Sequence, residues 1–368
     1  MSKSSVCYSR VKLLLIQMQR TQRYLFLCLI SCLMAGNAIA EPSYSVGFRA
    51  IEANQEEGIS GGIWYPSTDE EFVKKWGPFR PSWAWNGKAA IIGHFPVILF
   101  SHGVGGRYRN HRDTASALAR KGYVVMIPQL TKDEWIDTDK TVSVIEHRIA
   151  EFSRTLAAFS KAEPEIASII DEQRIGAIGY SLGGLTALGS SGVFPNFDYV
   201  EEHCLKNQSL DPDFCLDVPW WQRIWFWLAS TDLVHWSYGT GLTDKEVVSE
   251  VEPPIKFKAI ALVAPTAAAF SPTQIQGIEG ELGIFRLAND QITRFPFHAE
   301  YVHKSLGEKT HTYKVYENAH HYAFISPFPD WLLKEESIPV GMDPDGFDRK
   351  AFLEKINNDI VAFLEDAI

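Results

Sequence analysis

Along the chain, apolar residues gather into short runs of two kinds, and the alternation between them predicts a layered α/β architecture. Tyr44-Ser45-Val46-Gly47-Phe48 and Ile59 to Tyr65 read as two opening strands, the second ended by Pro66. Trp76 to Gly93 is rich in Trp, Pro and Gly without a sustained period, and reads as an ordered loop. Phe95 to Phe100 is continuously apolar, as a strand buried on both faces must be. Asp113 to Lys121 predicts a helix stopped by Gly122, and Tyr123 to Ile127 a second buried strand closed by Pro128. Helical periodicity then runs over Ser143 to Phe159 and Pro164 to Ile170. Arg174 to Gly184 follows, a short apolar strand breaking into a glycine-rich turn at the start of another helix.

Between Gly192 and Pro254 the alternation lapses, which marks an insertion. The sheet resumes at Phe257 to Val263, at Gly283 to Leu287 and at Thr312 to Tyr316, and a helix over Phe347 to Leu364 closes the chain. Strand, helix, strand, helix, strand, turn, helix is the order of a doubly wound, mostly parallel sheet. One α/β domain over residues 41–368, carrying a cap or lid at about 192–254, accounts for the length without a second core.

The chemistry concentrates in the turn Gly179-Tyr180-Ser181-Leu182-Gly183-Gly184. In a G-x-S-x-G turn the flanking residues must be small because strand and helix crowd a strained serine. Ser181 is the candidate nucleophile. The Leu182 N–H, at the positive end of the following helix, is one candidate oxyanion donor. Ser101-His102-Gly103-Val104-Gly105-Gly106 ends the Phe95 strand, where open α/β sheets place their ligand sites, and Val104 is the second candidate donor. His102 reads as a residue that shapes this loop more than one that moves protons. The glycines lack the Lys-Ser/Thr ending of a phosphate-binding loop.

A nucleophilic serine needs a base and an orienting acid. Asp290, just past the Gly283 strand, fits the acid better than Asp232, which falls in the insertion, or Asp343 and Asp345, which follow the histidines. His320 and His321, past the last strand, are both candidates for the base, since imidazole titrates near neutrality. Adjacent histidines point apart, and no H-E-x-x-H or clustered Cys/His spacing suggests zinc, so no metal or organic cofactor is expected. The insertion holds Cys204 and Cys215, whose spacing suggests a disulfide stapling a local loop. Its run Pro219 to Trp227 offers Trp220, Trp221, Trp225 and Trp227 as apolar walls over the site, or as side chains packing the insertion onto the body. A membrane-facing aromatic helix is the lesser alternative, because the run lacks a basic face.

Composition adds an address and excludes a partner. The 368 residues are 46% hydrophobic and 22% charged, with 35 Lys+Arg against 45 Asp+Glu. The first forty carry five basic residues and no acidic one, leaving 30 against 45 in the rest, a charge of −15 that repels phosphate backbones. That basic start, the apolar run Tyr24 to Ala35 and the small residues Ala38 and Ala40 predict a signal peptide over 1–40, cleaved before Glu41. Export to the periplasm or medium follows. Leu29-Ile30-Ser31-Cys32 gives a lipoprotein reading as a weaker alternative.

These motifs resemble the α/β-hydrolase superfamily, and within it the dienelactone-hydrolase-like group and the platelet-activating-factor acetylhydrolases. The resemblance rests on I-W-Y-P at Ile63 to Pro66, F-S-H-G-V-G-G at Phe100 to Gly106, L-A-R-K-G-Y-V-V at Leu118 to Val125, and G-Y-S-L-G-G. The family's A-x-H-x-x-F pattern falls on Ala319, His321 and Phe324, which implies that His321 is the base. Pro128-Gln129-Leu130-Thr131 and Leu287-Ala288-Asn289-Asp290 depart from the family's usual loops. Dienelactone hydrolases proper use a cysteine nucleophile, so the resemblance with serine at 181 implies a serine hydrolase. It would cleave carboxylic esters, with hydrophobic acyl or aromatic groups, through an acyl-enzyme. The alternatives are an amidase or peptidase with the same triad, or a catalytically silent fold that only binds.

Overall fold

The computed structural model describes residues 43–53, 58–90, 93–130, 141–215, 253–309, 311–335 and 339–368. The expected signal peptide, and Trp220, Trp221, Trp225 and Trp227, lie outside the described residues. The account below is of the unit Tyr44–Ile368.

Among the described residues ten strands form one sheet: β1 (Ser45–Ile51), β2 (Ser60–Ser67), β3 (Phe72–Val73), β4 (Ser82–Trp85), β5 (Phe95–Ser101), β6 (Val124–Gln129), β7 (Ile170–Tyr180), β8 (Ala259–Val263), β9 (Glu281–Leu287) and β10 (Thr312–Tyr316). Their order is β10-β9-β8-β7-β5-β6-β2-β1-β4-β3. From β6 across β5 to β10 every pair is parallel, while β2 pairs antiparallel with both β1 and β6. The helices used below are α1 (Arg112–Arg120), α2 (Thr141–Ala162), α3 (Leu182–Ser190), α4 (Phe197–Asn207), α5 (Ala299–Leu306) and α6 (Arg349–Ala367). Among the described residues no helix is long and apolar enough to cross a membrane.

The period of two along each strand sorts the core into two layers. Val97 and Leu99 of β5 join Phe152 and Phe159 of α2 and Leu185 of α3 on one face. Ile98 and Phe100 join Leu118 of α1 and Ile360 of α6 on the other. Each such buried side chain contributes about 1.5–3 kcal/mol of burial, several times what a surface ion pair adds. This is the mostly parallel, doubly wound sheet with an inserted segment of an α/β-hydrolase-like fold with a cap.

Some boundaries differ from the sequence expectation. Pro66 and Pro128 lie inside β2 and β6 rather than after them. The β2–β6 pairing ends at Trp64 and the β5–β6 pairing at Met126, so neither proline is asked for a donor on that side. The expected helix over Pro164 to Ile170 stops at Ala167, and β7 begins at Ile170. The stretch expected as a loop contains β4, which adds to the edge of β1 with Gly47 opposite Ala84. Aromatic packing drives that addition: Trp83 lies 4.6 Å from Phe48 and 5.7 Å from Trp64, ring centre to ring centre.

The winding fixes where chemistry can occur. After β5 the chain moves to β6, and after β7 it moves the opposite way to β8, so the connections part between β5 and β7. A crevice opens there at the carboxyl ends of the strands. Ser101 and Ser181 stand at those two ends.

Candidate active site

Ser181 has φ 55° and ψ −124°, a backbone region that costs a non-glycine residue about 1–3 kcal/mol. Its neighbours show why the turn is built from glycine. A Cβ on Gly179 would meet the Gly183 carbonyl oxygen at 2.5 Å, and one on Gly183 would meet the Ser101 carbonyl oxygen at 2.0 Å. The Ser181 N–H donates to the Val263 carbonyl at 3.1 Å, and the Ser181 carbonyl accepts from Thr266 at 2.9 Å. The end of strand β8 and the loop after it therefore grip the strained residue from the side. The hydroxyl is left pointing over the end of the sheet, 5% exposed as a residue.

Two loops from later strands converge on that hydroxyl. His321 opens a short helical turn past β10, and its Nε2 lies 3.1 Å from Ser181 Oγ. Its Nδ1 lies 2.7 Å from Asp290 Oδ2. Asp290 in turn accepts from the Thr293 hydroxyl at 2.7 Å and from the Ile292 and Thr293 N–H groups at 2.8 and 2.9 Å. Burial disfavours the Asp290 carboxylate, but the His321 hydrogen bond and charge, then Thr293 and Ile292, outweigh it and hold its pKa below the usual carboxylate range. With carboxylate on Nδ1, the ring keeps its proton there and offers Nε2 as an acceptor to serine.

The structure thus brings Ser181, His321 and Asp290 together. His320 goes elsewhere: its Nε2 sits 3.0 Å from Asp343, which also holds Arg349. Arg349 donates to the Tyr322 and Ile325 carbonyls at 2.6 and 2.9 Å, bracing the turn that carries His321.

The loop after β5 faces the same hydroxyl. Gly103 to Gly106 is a turn closed by the Gly106 N–H on the Gly103 carbonyl at 3.1 Å, with Gly105 at φ 63°. Val104, at its tip, is half exposed. Gly103 backs onto Ser181, where an added Cβ would lie 3.2 Å from the serine Cβ. His102 is fully buried; its Nε2 accepts from the Leu130 N–H at 3.3 Å, and its Nδ1 faces the Gly103 carbonyl at 2.8 Å. Burial, then the charge of Arg148, holds its pKa well below the ordinary value, so it is a neutral brace for the loop. Leu182 opens α3 at the other side of Ser181.

Two polar residues at this site escaped the sequence reading. Gln129 donates to the Gly106 carbonyl at 3.2 Å and accepts from the Tyr108 N–H at 3.3 Å, so the unusual Pro128 to Thr131 loop carries a brace. Arg148, 2% exposed, reaches Thr186, Ser101 and the His102 carbonyl. Burial pushes its guanidinium down to about 9, opposed by Glu151, and it is charged at neutral pH. Its signal in the sequence was a lone arginine on the apolar side of a helix.

A second cluster corrects the expectation that Ser-His-Asp is the chain's one catalytic grouping, and with it the unqualified reading as a serine carboxylic-ester hydrolase. His203, Asp211 and Cys215 bring one nitrogen, oxygen and sulfur each within 4.8 Å of one another, the residue types of a cysteine-nucleophile site. His203 Nε2 lies 2.9 Å from Asp211 Oδ2, and His298 Nε2 lies 3.1 Å from the same oxygen. These residues fall where the hydrophobic alternation lapses, so only folding of α4 and the following loop reveals the grouping. Burial opposes the Asp211 charge, but the hydrogen bonds of both histidines hold its pKa low. Cys215 is bonded to Cys204, as the spacing suggested, with Cα atoms 5.3 Å apart. In this state its sulfur offers neither a thiolate to a substrate nor a ligand to a metal.

None of the curated proteins compared with the chain matches it. Residues 86–201 match the dienelactone hydrolase family, a span that includes the loop after β5 and the Ser181 turn but ends before His203.

Proposed function

We propose that the protein is a hydrolase of small acyl compounds whose nucleophile, in the disulfide-bonded state, is Ser181. One observation carries this: the Ser181 hydroxyl, His321 and Asp290 form a continuous hydrogen-bonded relay, at 3.1 and 2.7 Å, in the crevice where this winding places ligands. His321 Nε2 takes the serine proton as the hydroxyl attacks a carbonyl carbon. It returns that proton to the leaving group, and the acyl-enzyme is released by water through the same steps in reverse. The Val104 and Leu182 N–H groups are the proposed oxyanion donors. The partner is a small molecule, since the acidic surface opposes nucleic acid. Export over residues 1–40 belongs to the same proposal and is supported by the Cys204–Cys215 bond, which persists in an oxidising compartment.

A second reading is favoured by the His203–Asp211–Cys215 grouping: reduction frees Cys215, and its thiolate attacks in place of the serine. The two differ in a single experiment. The full chain, Ser181→Ala and Cys215→Ser are treated with a fluorophosphonate probe and with p-nitrophenyl acetate, with and without dithiothreitol. The serine reading expects labelling and turnover without reductant, lost in Ser181→Ala and kept in Cys215→Ser. Turnover that needs reductant and vanishes in Cys215→Ser overturns it. No labelling and no turnover under either condition overturns both.

A further inference from the structure

Arg148 occupies an unusual position for a charge. It sits on α2, 2% exposed, behind the two chain segments that flank Ser181. Toward one segment its Nη2 donates to the His102 carbonyl and to Ser101 Oγ, the latter at 3.3 Å. Toward the other its Nε donates to Thr186 Oγ1 at 2.8 Å, and the Thr186 hydroxyl donates in turn to the Leu182 carbonyl at 3.1 Å. The peptide planes held are those on either side of the hydroxyl: His102–Gly103, leading into the Val104 turn, and Leu182–Gly183, opening α3. Burying a guanidinium is costly, and packing alone would be served as well by apolar side chains, so its presence here points to the acceptors it reaches. The planar fork reaches acceptors on both segments at once, which neither an apolar residue nor a lysine does.

We propose that Arg148 is a positioning residue that sets the distance between the two halves of the oxyanion hole, joining the Val104 loop to the start of α3 through one rigid guanidinium. This rests on the hydrolase reading with Ser181 as nucleophile. Its role is confined to the moment when negative charge develops on the substrate oxygen. The ground-state ester has little charge for misplaced donors to miss, so loss of the brace acts on kcat and not on KM.

The test uses the full chain and the variants Arg148→Met, Arg148→Lys and Thr186→Val. For each, kcat and KM on p-nitrophenyl acetate are measured beside the inhibition constant of an aryl trifluoromethyl ketone, whose adduct with serine bears an oxyanion. Arg148→Met is expected to lower kcat by about 10²-fold, the loss typical of a removed oxyanion donor, with KM within about threefold. The ketone should weaken by a similar factor. Arg148→Lys and Thr186→Val, which keep the buried charge or the buried shape, should fall between and serve if Arg148→Met does not fold. Folded variants with unchanged kcat and unchanged ketone affinity overturn the proposal, as does a rise in KM alone. An inactive native protein that the fluorophosphonate does not label would instead sink the hydrolase reading beneath it.

Discussion

Replacing Cys204 and Cys215 together by serine separates what the disulfide does for the fold from anything it could do in catalysis. The bond joins residues 11 apart, and closing a loop of that size removes about 3 kcal/mol of chain entropy from the unfolded state. Within the loop, Asp211 is fully buried between His203 and His298, and His298 Nδ1 accepts the Ala267 N–H at 3.2 Å, so the segment is also tied to the body. The double substitution leaves the side chains of that knot in place; it removes the covalent closure and sets two hydroxyls where the sulfurs are buried. Urea unfolding followed by circular dichroism should therefore show the double variant folded and weaker by about 3 kcal/mol. Turnover of p-nitrophenyl acetate by the folded fraction should stay within about threefold of native, since neither cysteine touches the Ser181 relay. A stability loss below about 1 kcal/mol would refute the loop-entropy argument and assign the segment's order to the Asp211 knot. Loss of turnover in a folded double variant would refute the assignment of catalysis to Ser181.

Gly183→Ala places a methyl group 2.0 Å from the Ser101 carbonyl oxygen, where only backbone can yield. The expected cost is about 1–3 kcal/mol by thermal unfolding, and a kcat reduced by up to about 10²-fold as β5 and the Ser181 turn are pushed apart; unchanged values of both would show that the strands part freely. Acid stability is set in part by Asp211 and Asp290, whose folded pKa values lie below the unfolded value of about 3.9. In the folded chain both bind protons less readily than in the unfolded one, so their contribution is present above about pH 4 and is lost as pH falls through the folded values. Urea midpoints measured from pH 2.5 to 6 should fall steeply at the acid end in the native protein and less steeply in Asp211→Asn, and equal slopes would refute the linkage.

The alternation of buried strands and helices was legible from composition of the runs alone, because a parallel strand covered on both faces must be continuously apolar and a covering helix must repeat near 3.6. The G-x-S-x-G turn was legible for a similar reason, since Gly179 and Gly183 admit no side chain against backbone at 2.5 and 2.0 Å. Local sequence also marked Asp290 and a pair of histidines just beyond strands. What it left open was which histidine turns inward. Only the tertiary structure decides that, by tying His320 to Asp343 and bringing His321 to Asp290. Strand β4 was hidden because its reason for pairing is a set of tryptophan contacts across the sheet edge. Arg148 was hidden because its meaning lies in acceptors 38 to 47 residues away. The His203–Asp211–Cys215 grouping was hidden for a third reason, a loop that folds back on α4 and a partner, His298, that is 87 residues distant. Sequence by itself determined the elements and the residue types at strand ends, which depend on near neighbours and backbone sterics. Which side chains meet depends on how the sheet winds and where its loops converge, and that is a property of the packed chain.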